Sequence, residues 1–480
     1  MAQFLEIYPV LSCNGVGQNF WPVSRKEAPK QFSKIGKNPS LFQDQVKKLN
    51  GCGFRNPTVV SPISHKYILA EQLNDIGQDM HLFIAEPEPS NSAAAFCAAA
   101  EVIAQRDPNA ILLLPMSEAI DVNEDILISA VQTALPLLRD GHLVLLGAKP
   151  TEGVQRHTFV ELAQGTASST SPQPFAQVLH HPDPSAINKM LETNRYMWSA
   201  DIALVSVKTL RALYGRSAAP IRATVRRAVR ECVETENMVQ LGEAYTAVDD
   251  LNFENAILEH HNGFVVPVPK VQSSIGNWYD LWSASNRDAR GVQTNGNAMA
   301  FNCDDTLLCS ENFGTQIVGL GLSNVAVVAT EDAVLVADLD HLDALPVAVK
   351  TMQRQDIPQA FAGRLKVTPW GSIETLQSGA RHKVRSMTIK AGHNTQTLSH
   401  LNRTENWVVV EGTGRIVIDG YSTLLRQNET LTIPTGRDYR IENPGKAPLT
   451  LIEVITGPYL GDDDITVIET GLPAKESAQG

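Results

Sequence analysis

Two groups of side chains in this 480-residue chain have the type and spacing to do chemistry, and a third needs weighing. Arg222, Arg226 and Arg230 recur every four residues, which sets a basic stripe along a helix. Such a stripe could dock an acidic partner, although a run of this kind is more often a solvated face. His180 and His181 are adjacent, with His157 upstream, and imidazole is a common metal ligand. Neighbouring residues of a strand point to opposite faces, however, so the adjacent pair is poorly placed to hold one ion. The six cysteines, Cys13, Cys52, Cys97, Cys232, Cys303 and Cys309, contain no Cys-x-x-Cys pair. Thiols this sparse read as free, with Cys303 and Cys309 the one pair close enough to meet in a hairpin.

Charge and composition narrow the partners. Forty basic residues against 52 acidic ones give a net charge of −12, which argues against nucleic acid or an anionic membrane. A phosphorylated ligand stays open, because local loops bind phosphate whatever the net charge. With 43% hydrophobic and 19% charged residues the chain has an ordinary globular composition. No apolar run reaches the roughly 18 residues of a membrane span, and the start MAQFLEIYPVLSC lacks the form of a secretory signal. A cytoplasmic protein is expected.

The elements that must position any site follow from hydrophobic patterning. Apolar strands are expected over 5–12, 57–61, 110–115 and 143–147, and helices over 64–76, 92–106 and 124–139. This alternation predicts an α/β domain with a mostly parallel sheet covered by helices on both faces. Ligands in such sheets sit at the carboxyl ends of strands, so the loops after residues 12, 115 and 147 are where chemistry is expected. A polar loop is expected over 166–174. Gly, Asn and Asp turns over 285–325 read as a β-rich connector lasting to about 345, followed by a short helix over 346–356. From about 365 short strands at regular spacing suggest a sandwich or jelly roll. The expected division is 1–285, 286–356 and 357–470, with a frayed tail over 471–480.

Spaced motifs carry a family resemblance. One runs from Asn14-Gly15-Val16-Gly17-Gln18-Asn19-Phe20-Trp21-Pro22-Val23-Ser24-Arg25 to Pro29-Lys30-Gln31-Phe32. Another is Ser64-His65-Lys66-Tyr67 with Glu71-Gln72-Leu73. The last domain has Pro369-Trp370-Gly371-Ser372, Arg403-Thr404-Glu405-Asn406-Trp407, Asn443-Pro444-Gly445 and Tyr459-Leu460-Gly461-Asp462-Asp463-Asp464-Ile465. In this order, over nearly the whole chain, the sequence resembles the bifunctional mannose-1-phosphate guanylyltransferase/mannose-6-phosphate isomerase family. The resemblance implies a Rossmann-like, GT-A-like nucleotidyltransferase domain, a β connector and a C-terminal cupin domain. It also implies GTP, mannose 1-phosphate and GDP-mannose as ligands, Mg²⁺ as cofactor, a role in polysaccharide biosynthesis, and a homo-oligomer.

Carried over position by position, the resemblance marks Lys30 as catalytic and Gly15, Gly17 and Asn91 as nucleotide-binding. It also marks substitutions. Asn19 stands where the family has the arginine of its phosphate loop. Ser117 and Ser274 stand where the family has metal-binding aspartates, and a serine hydroxyl is a poor ligand for a hard dication. Glu118 is a carboxylate displaced by one residue. On the sugar side Val154-Gln155-Arg156-His157-Thr158-Phe159 has lost both family glycines, and Trp198-Ser199-Ala200-Asp201 replaces Trp-Asn-Ser-Gly. In the cupin the four metal-ligand positions match Leu398, His400, Glu405 and Tyr439, which leaves His400 and Glu405 as metal candidates. Arg403 matches a family arginine and is the sugar-phosphate candidate. Two readings follow. One is a non-catalytic paralogue that binds a sugar nucleotide or an active family member. The alternative is an active or weakened nucleotidyltransferase making GDP-mannose.

Overall fold

The computed structural model describes the chain apart from residues 1–5, 16, 26–28, 34–38, 118–119, 121, 151–157, 181–186, 188–189, 191, 270–274, 312–313, 469–474 and 477–480. The chain forms two compact units, Met1–Ala362 and Gly363–Gly480.

The first unit is built on an 11-stranded mixed sheet. Its centre comprises β1 (Ile7–Ser12), β2 (Thr58–Pro62), β3 (Leu82–Glu86) and β4 (Ile111–Pro115), in the order β4-β1-β2-β3 and all parallel. The period of two divides each strand between two cores. Leu112 and Leu114 face one side and Leu113 the other; Ile84 and Phe83 part in the same way. Helices α1 (Leu41–Gly51), α2 (Lys66–Asp75) and α3 (Ser92–Arg106) connect these strands, and α4 (Glu124–Arg139) follows β4. Alanines let α3 sit deep, and every residue from Ala93 to Ala104 is buried. A Ser40–Gln43 capping box starts α1.

Beyond β4 the sheet departs from the mostly parallel expectation. Strand Tyr196–Ser206 pairs antiparallel with β4, and Thr158–Leu162 and Gln173–His180 form a hairpin. The connection of the hairpin is too short to hold the crossover a parallel pair requires. Segment 286–356 contains short strands, several in parallel pairs, and a helix over Leu345–Arg354. It shares a core with the first domain. Phe20, Trp21 and Trp278 pack in one cluster with Leu307, Val328 and Leu345. Arg25 ties the same segments, donating to both oxygens of Asp332 and to the carbonyl of Ala362.

The second unit is a jelly-roll barrel of two six-stranded sheets. Trp407, Val409, Ile416, Ile441, Leu449 and Leu451 form its apolar core. In the tail, Lys475 and Glu476 pair with Tyr421 and Ser422, where fraying was expected; the other tail residues lie outside the described set. All six cysteines are free. No helix of the described residues is long and apolar enough to cross a membrane.

Candidate functional site

The loop after β1 lies at the carboxyl edge of the sheet. Gly17 adopts φ +62°, the left-handed region that glycine enters without strain, and it caps a short 3-10 turn over Gln18–Phe20. Ser24 Oγ donates to the Gly17 carbonyl. A Cβ on Gly17 would stand 2.8 Å from Cβ and Cγ of Lys30, so the Lys30 stem runs directly under the glycine. Lys30 is buried, and its ammonium lies 5.1 Å from the centroid of the Phe20 ring. Gly15 and Asn19 are exposed on the same loop. We predict that Gly17→Ala lowers stability by about 1–2 kcal/mol through the left-handed backbone, with further loss from the Lys30 contact. Chemical denaturation measures it, and an unchanged midpoint would contradict the packing described.

Asn91 begins α3. Its side-chain oxygen accepts from the Ser92 backbone N–H, so this group is committed to the helix cap. The neighbouring residues join the two loops, since Asn14 Nδ2 donates to Ser90 Oγ at 3.5 Å. Thus the structure brings the loop carrying Gly15, Gly17 and Lys30 beside the start of α3. Beneath them lies a group the sequence did not single out. Glu86, fully buried at the end of β3, accepts from Ser90 Oγ at 2.6 Å and Tyr245 Oη at 2.5 Å through Oε1. Burial pushes its carboxyl up to about 7, against hydrogen bonds from Ser90, Tyr245 and Asn14 that lower it. If Glu86 is counted as ionised, its Oε2 has no donor, and Asn14 Oδ1 also lacks a partner among the described residues. A proton on Glu86 makes Oε2 a donor and removes that defect.

Ser117 follows β4, and its carbonyl accepts from Gln45 Nε2 at 2.9 Å. Glu118, Ser274 and residues 154–157 lie outside the described residues. Among the positions that the resemblance gives to Mg²⁺, the described one therefore presents a neutral hydroxyl, which fits a hard dication poorly. Across the strand pair lies Asp201, at φ +53°, whose carbonyl accepts from Met116 N–H at 2.8 Å. It is the residue at the family's glycine position, and its left-handed backbone explains why glycine suits that position. Its charge helps to raise the carboxyl of Glu254 to about 7, after burial as the larger cause.

Other candidates resolve into structure. Arg222 Nε donates to Glu101 Oε1 at 2.8 Å, and Arg211 pairs with Oε2 of the same buried carboxylate. Arg226 and Arg230 are exposed, while Val225 and Val229 are buried. His180 Nδ1 lies 2.8 Å from Thr158 Oγ1, and His157 and His181 fall outside the described residues. His65 is held by Ser61, and burial lowers it to about 4.

In the barrel, His400, Arg403 and Glu405 are all buried. His400 Nε2 stands 3.7 Å from Glu405 Oε1. Tyr439 Oη donates to that same oxygen at 3.0 Å, and its ring meets His400 edge-on at 5.3 Å. Glu453, a second group absent from the sequence reading, lies close enough for its charge to bear on Glu405. Burial, then the charge of Glu453, pushes Glu405 well above the usual carboxylate range. Burial is the largest influence on Glu453 and raises it, but the charge of Arg385, 2.5 Å away, and hydrogen bonds from Arg385 and Trp407 together hold it below the usual range. Trp407 Nε1 also donates to Glu453, at 3.3 Å. Arg403 is engaged: Nε donates to Asp464 at 2.9 Å and Nη2 to the Gly461 carbonyl, which leaves Nη1 without a partner among the described residues. Asp464 accepts also from Asn402 Nδ2 and from the backbone N–H groups of Leu401 and Asn402. A phosphate seeking Arg403 would compete with this carboxylate.

Comparison with known proteins completes the description. Residues 9–291 match the Nucleotidyl transferase family, and residues 360–470 match the family described as Mannose-6-phosphate isomerase C-terminal. Mannose-1-phosphate guanylyltransferase of Sinorhizobium fredii is 30% identical over 468 residues, covering 96% of this chain and 90% of that protein. The Escherichia coli K12 protein of the same name is 28% identical over 466 residues, covering 96% of this chain and 97% of its own. Alginate biosynthesis protein AlgA of Pseudomonas putida is 29% identical over 486 residues, covering 98% and 99%. The solved structure described as mannose-1-phosphate geranyltransferase from Thermus thermophilus shares the fold. Its TM-score is 0.59 at 17% identity, covering 73% of this chain and all of that one. An α/β nucleotidyltransferase domain followed by an isomerase-type cupin, matched along almost the full length by these relatives, places the chain in the mannose-1-phosphate guanylyltransferase/mannose-6-phosphate isomerase family.

Proposed function

We propose that this chain is a non-catalytic member of its family, one that binds a sugar nucleotide or an active relative and so regulates the supply of GDP-mannose. The observation that carries this reading is Ser117. It stands at the carboxyl end of β4, where the transfer reaction needs a carboxylate to hold Mg²⁺ against two approaching anions. Asn19 supports it, because an amide replaces a cation on the phosphate loop. The retained parts are those of a binding frame: the turn at Gly17, the buried Lys30 beneath it, and the start of α3 beside them. Removing electrostatic groups of this kind lowers turnover by about 10²–10³ per group.

Titration calorimetry with GTP, GDP-mannose and mannose 1-phosphate, with and without Mg²⁺, tests the proposal. GDP-mannose binding that is indifferent to Mg²⁺ is the expected result. Silence for all three would remove the sugar-nucleotide arm and leave only docking on a relative. Mg²⁺-dependent GTP binding would favour the second reading, an active or weakened nucleotidyltransferase. Asp201 bears on that side, since its backbone carbonyl is bonded to Met116, the residue before Ser117. Loss of the Mg²⁺ dependence in Asp201→Asn would identify it as the replacement ligand.

A further inference from the structure

The family implies a metal in the cupin barrel, and the side chains of this barrel do not fit one. Leu398 stands opposite Tyr439 in the strand register and packs against the apolar core. It has no donor atom for a cation. Tyr439 touches both surviving residues of ligand type, with its hydroxyl on Glu405 Oε1 at 3.0 Å and its ring edge-on to His400. Trp407 fixes the other side of the phenol, with ring centroids 5.4 Å apart. Glu405 Oε1 is thereby taken up by the Tyr439 hydroxyl, and Glu453 is taken up by Arg385 at 2.5 Å and by Trp407 Nε1 at 3.3 Å. Among the described residues no group of three His, Cys, Asp or Glu side chains could hold a metal ion.

We infer that the barrel takes no divalent cation, and that Leu398 and Tyr439 have converted the family's metal centre into a closed core in which the Tyr439 hydroxyl holds Glu405 and its ring covers His400. Four polar atoms there lack partners among the described residues: both His400 ring nitrogens, Arg403 Nη1 and, as a carboxylate, Glu405 Oε2. The Arg403 Nη1–H suits buried water, and the charge of that guanidinium, which bears on His400, opposes a second cation there. This inference concerns the second unit alone and stands whether or not the first unit turns over.

The test is the metal content of the full chain. Protein is equilibrated with excess Zn²⁺, Co²⁺ or Mn²⁺, desalted, and assayed by mass spectrometry of the elements, and its unfolding midpoint is measured with and without EDTA. The wild type is expected to carry no stoichiometric metal and to unfold at one midpoint in both conditions. The double variant L398Q/Y439H, which supplies ligand atoms at both altered positions, is expected to gain a full equivalent and to lose stability in EDTA. A wild-type equivalent that disappears in Glu405→Gln overturns the inference, as does a folded double variant that takes no metal. If the double variant does not fold, the wild-type content decides alone.

Discussion

Replacing Arg385 with alanine is expected to destabilise the C-terminal unit by about 3–5 kcal/mol, because it leaves a buried carboxylate without its cation. Arg385 lies on strand His382–Ile389, directly opposite Glu453 on strand Leu449–Thr456. Its Nε is 2.5 Å from Glu453 Oε2, and both side chains are largely buried. The loss spreads beyond one ion pair. Arg385 holds Glu453 below the usual range, Glu453 accepts from Trp407, and its charge bears on Glu405, which accepts from Tyr439. Chemical denaturation gives the size of the effect, and amide exchange on Thr404–Glu411 and Leu449–Thr456 locates it. Adding Glu453→Gln to the alanine variant should recover part of the loss, since it removes the uncompensated charge. Recovery of nothing would mean that Arg385 acts by packing alone.

Replacing Glu86 with glutamine should change the pH dependence of stability rather than its value in acid. The folded carboxyl titrates at about 7 and the free one at 4.5, with burial as the main cause. The native state therefore holds its proton more tightly than the unfolded chain. Its stabilising contribution is complete below pH 4.5, falls as the unfolded carboxyl ionises, and is gone above pH 7. The shift corresponds to roughly 3 kcal/mol between those limits. The amide introduced by Glu86→Gln imitates the protonated form, accepting from Ser90 and Tyr245 and offering an N–H in place of the acid proton. Wild type and variant should match at about pH 4.5, and the variant should be more stable by roughly that amount at pH 8. Urea titrations at the two pH values measure it, and parallel pH profiles would contradict a neutral Glu86. Glu254, also raised to about 7, contributes equally to both proteins and cancels in the comparison.

Local patterning carried much of the fold. The helices expected over 92–106 and 124–139 are those observed, because each has an apolar face and an asparagine just before it. The jelly roll was visible in its short strands and turns. The antiparallel part of the first sheet was not, because strand direction depends on how far the chain travels between partners. The site divides in the same way. Gly17 and Lys30 lie 13 residues apart, and their contact followed the family's spacing. Glu86 and Tyr245 lie 159 residues apart, and Glu405 and Glu453 lie far apart on strands that pair late in the chain. Nothing local distinguishes these carboxylates from the solvated ones, since burial is what makes them unusual. Arg403 was legible as a charge but not as a charge already bound by Asp464.

On the function proposed above, this family member keeps a binding frame and has lost turnover. Pyrophosphate release from GTP and mannose 1-phosphate, measured with excess Mg²⁺ at high protein concentration, tests it most directly. The expected rate is at least about 10⁴-fold below the roughly 10 s⁻¹ of a median enzyme. Turnover near that median, abolished by Lys30→Ala in a folded protein, would contradict it and identify the chain as a working guanylyltransferase.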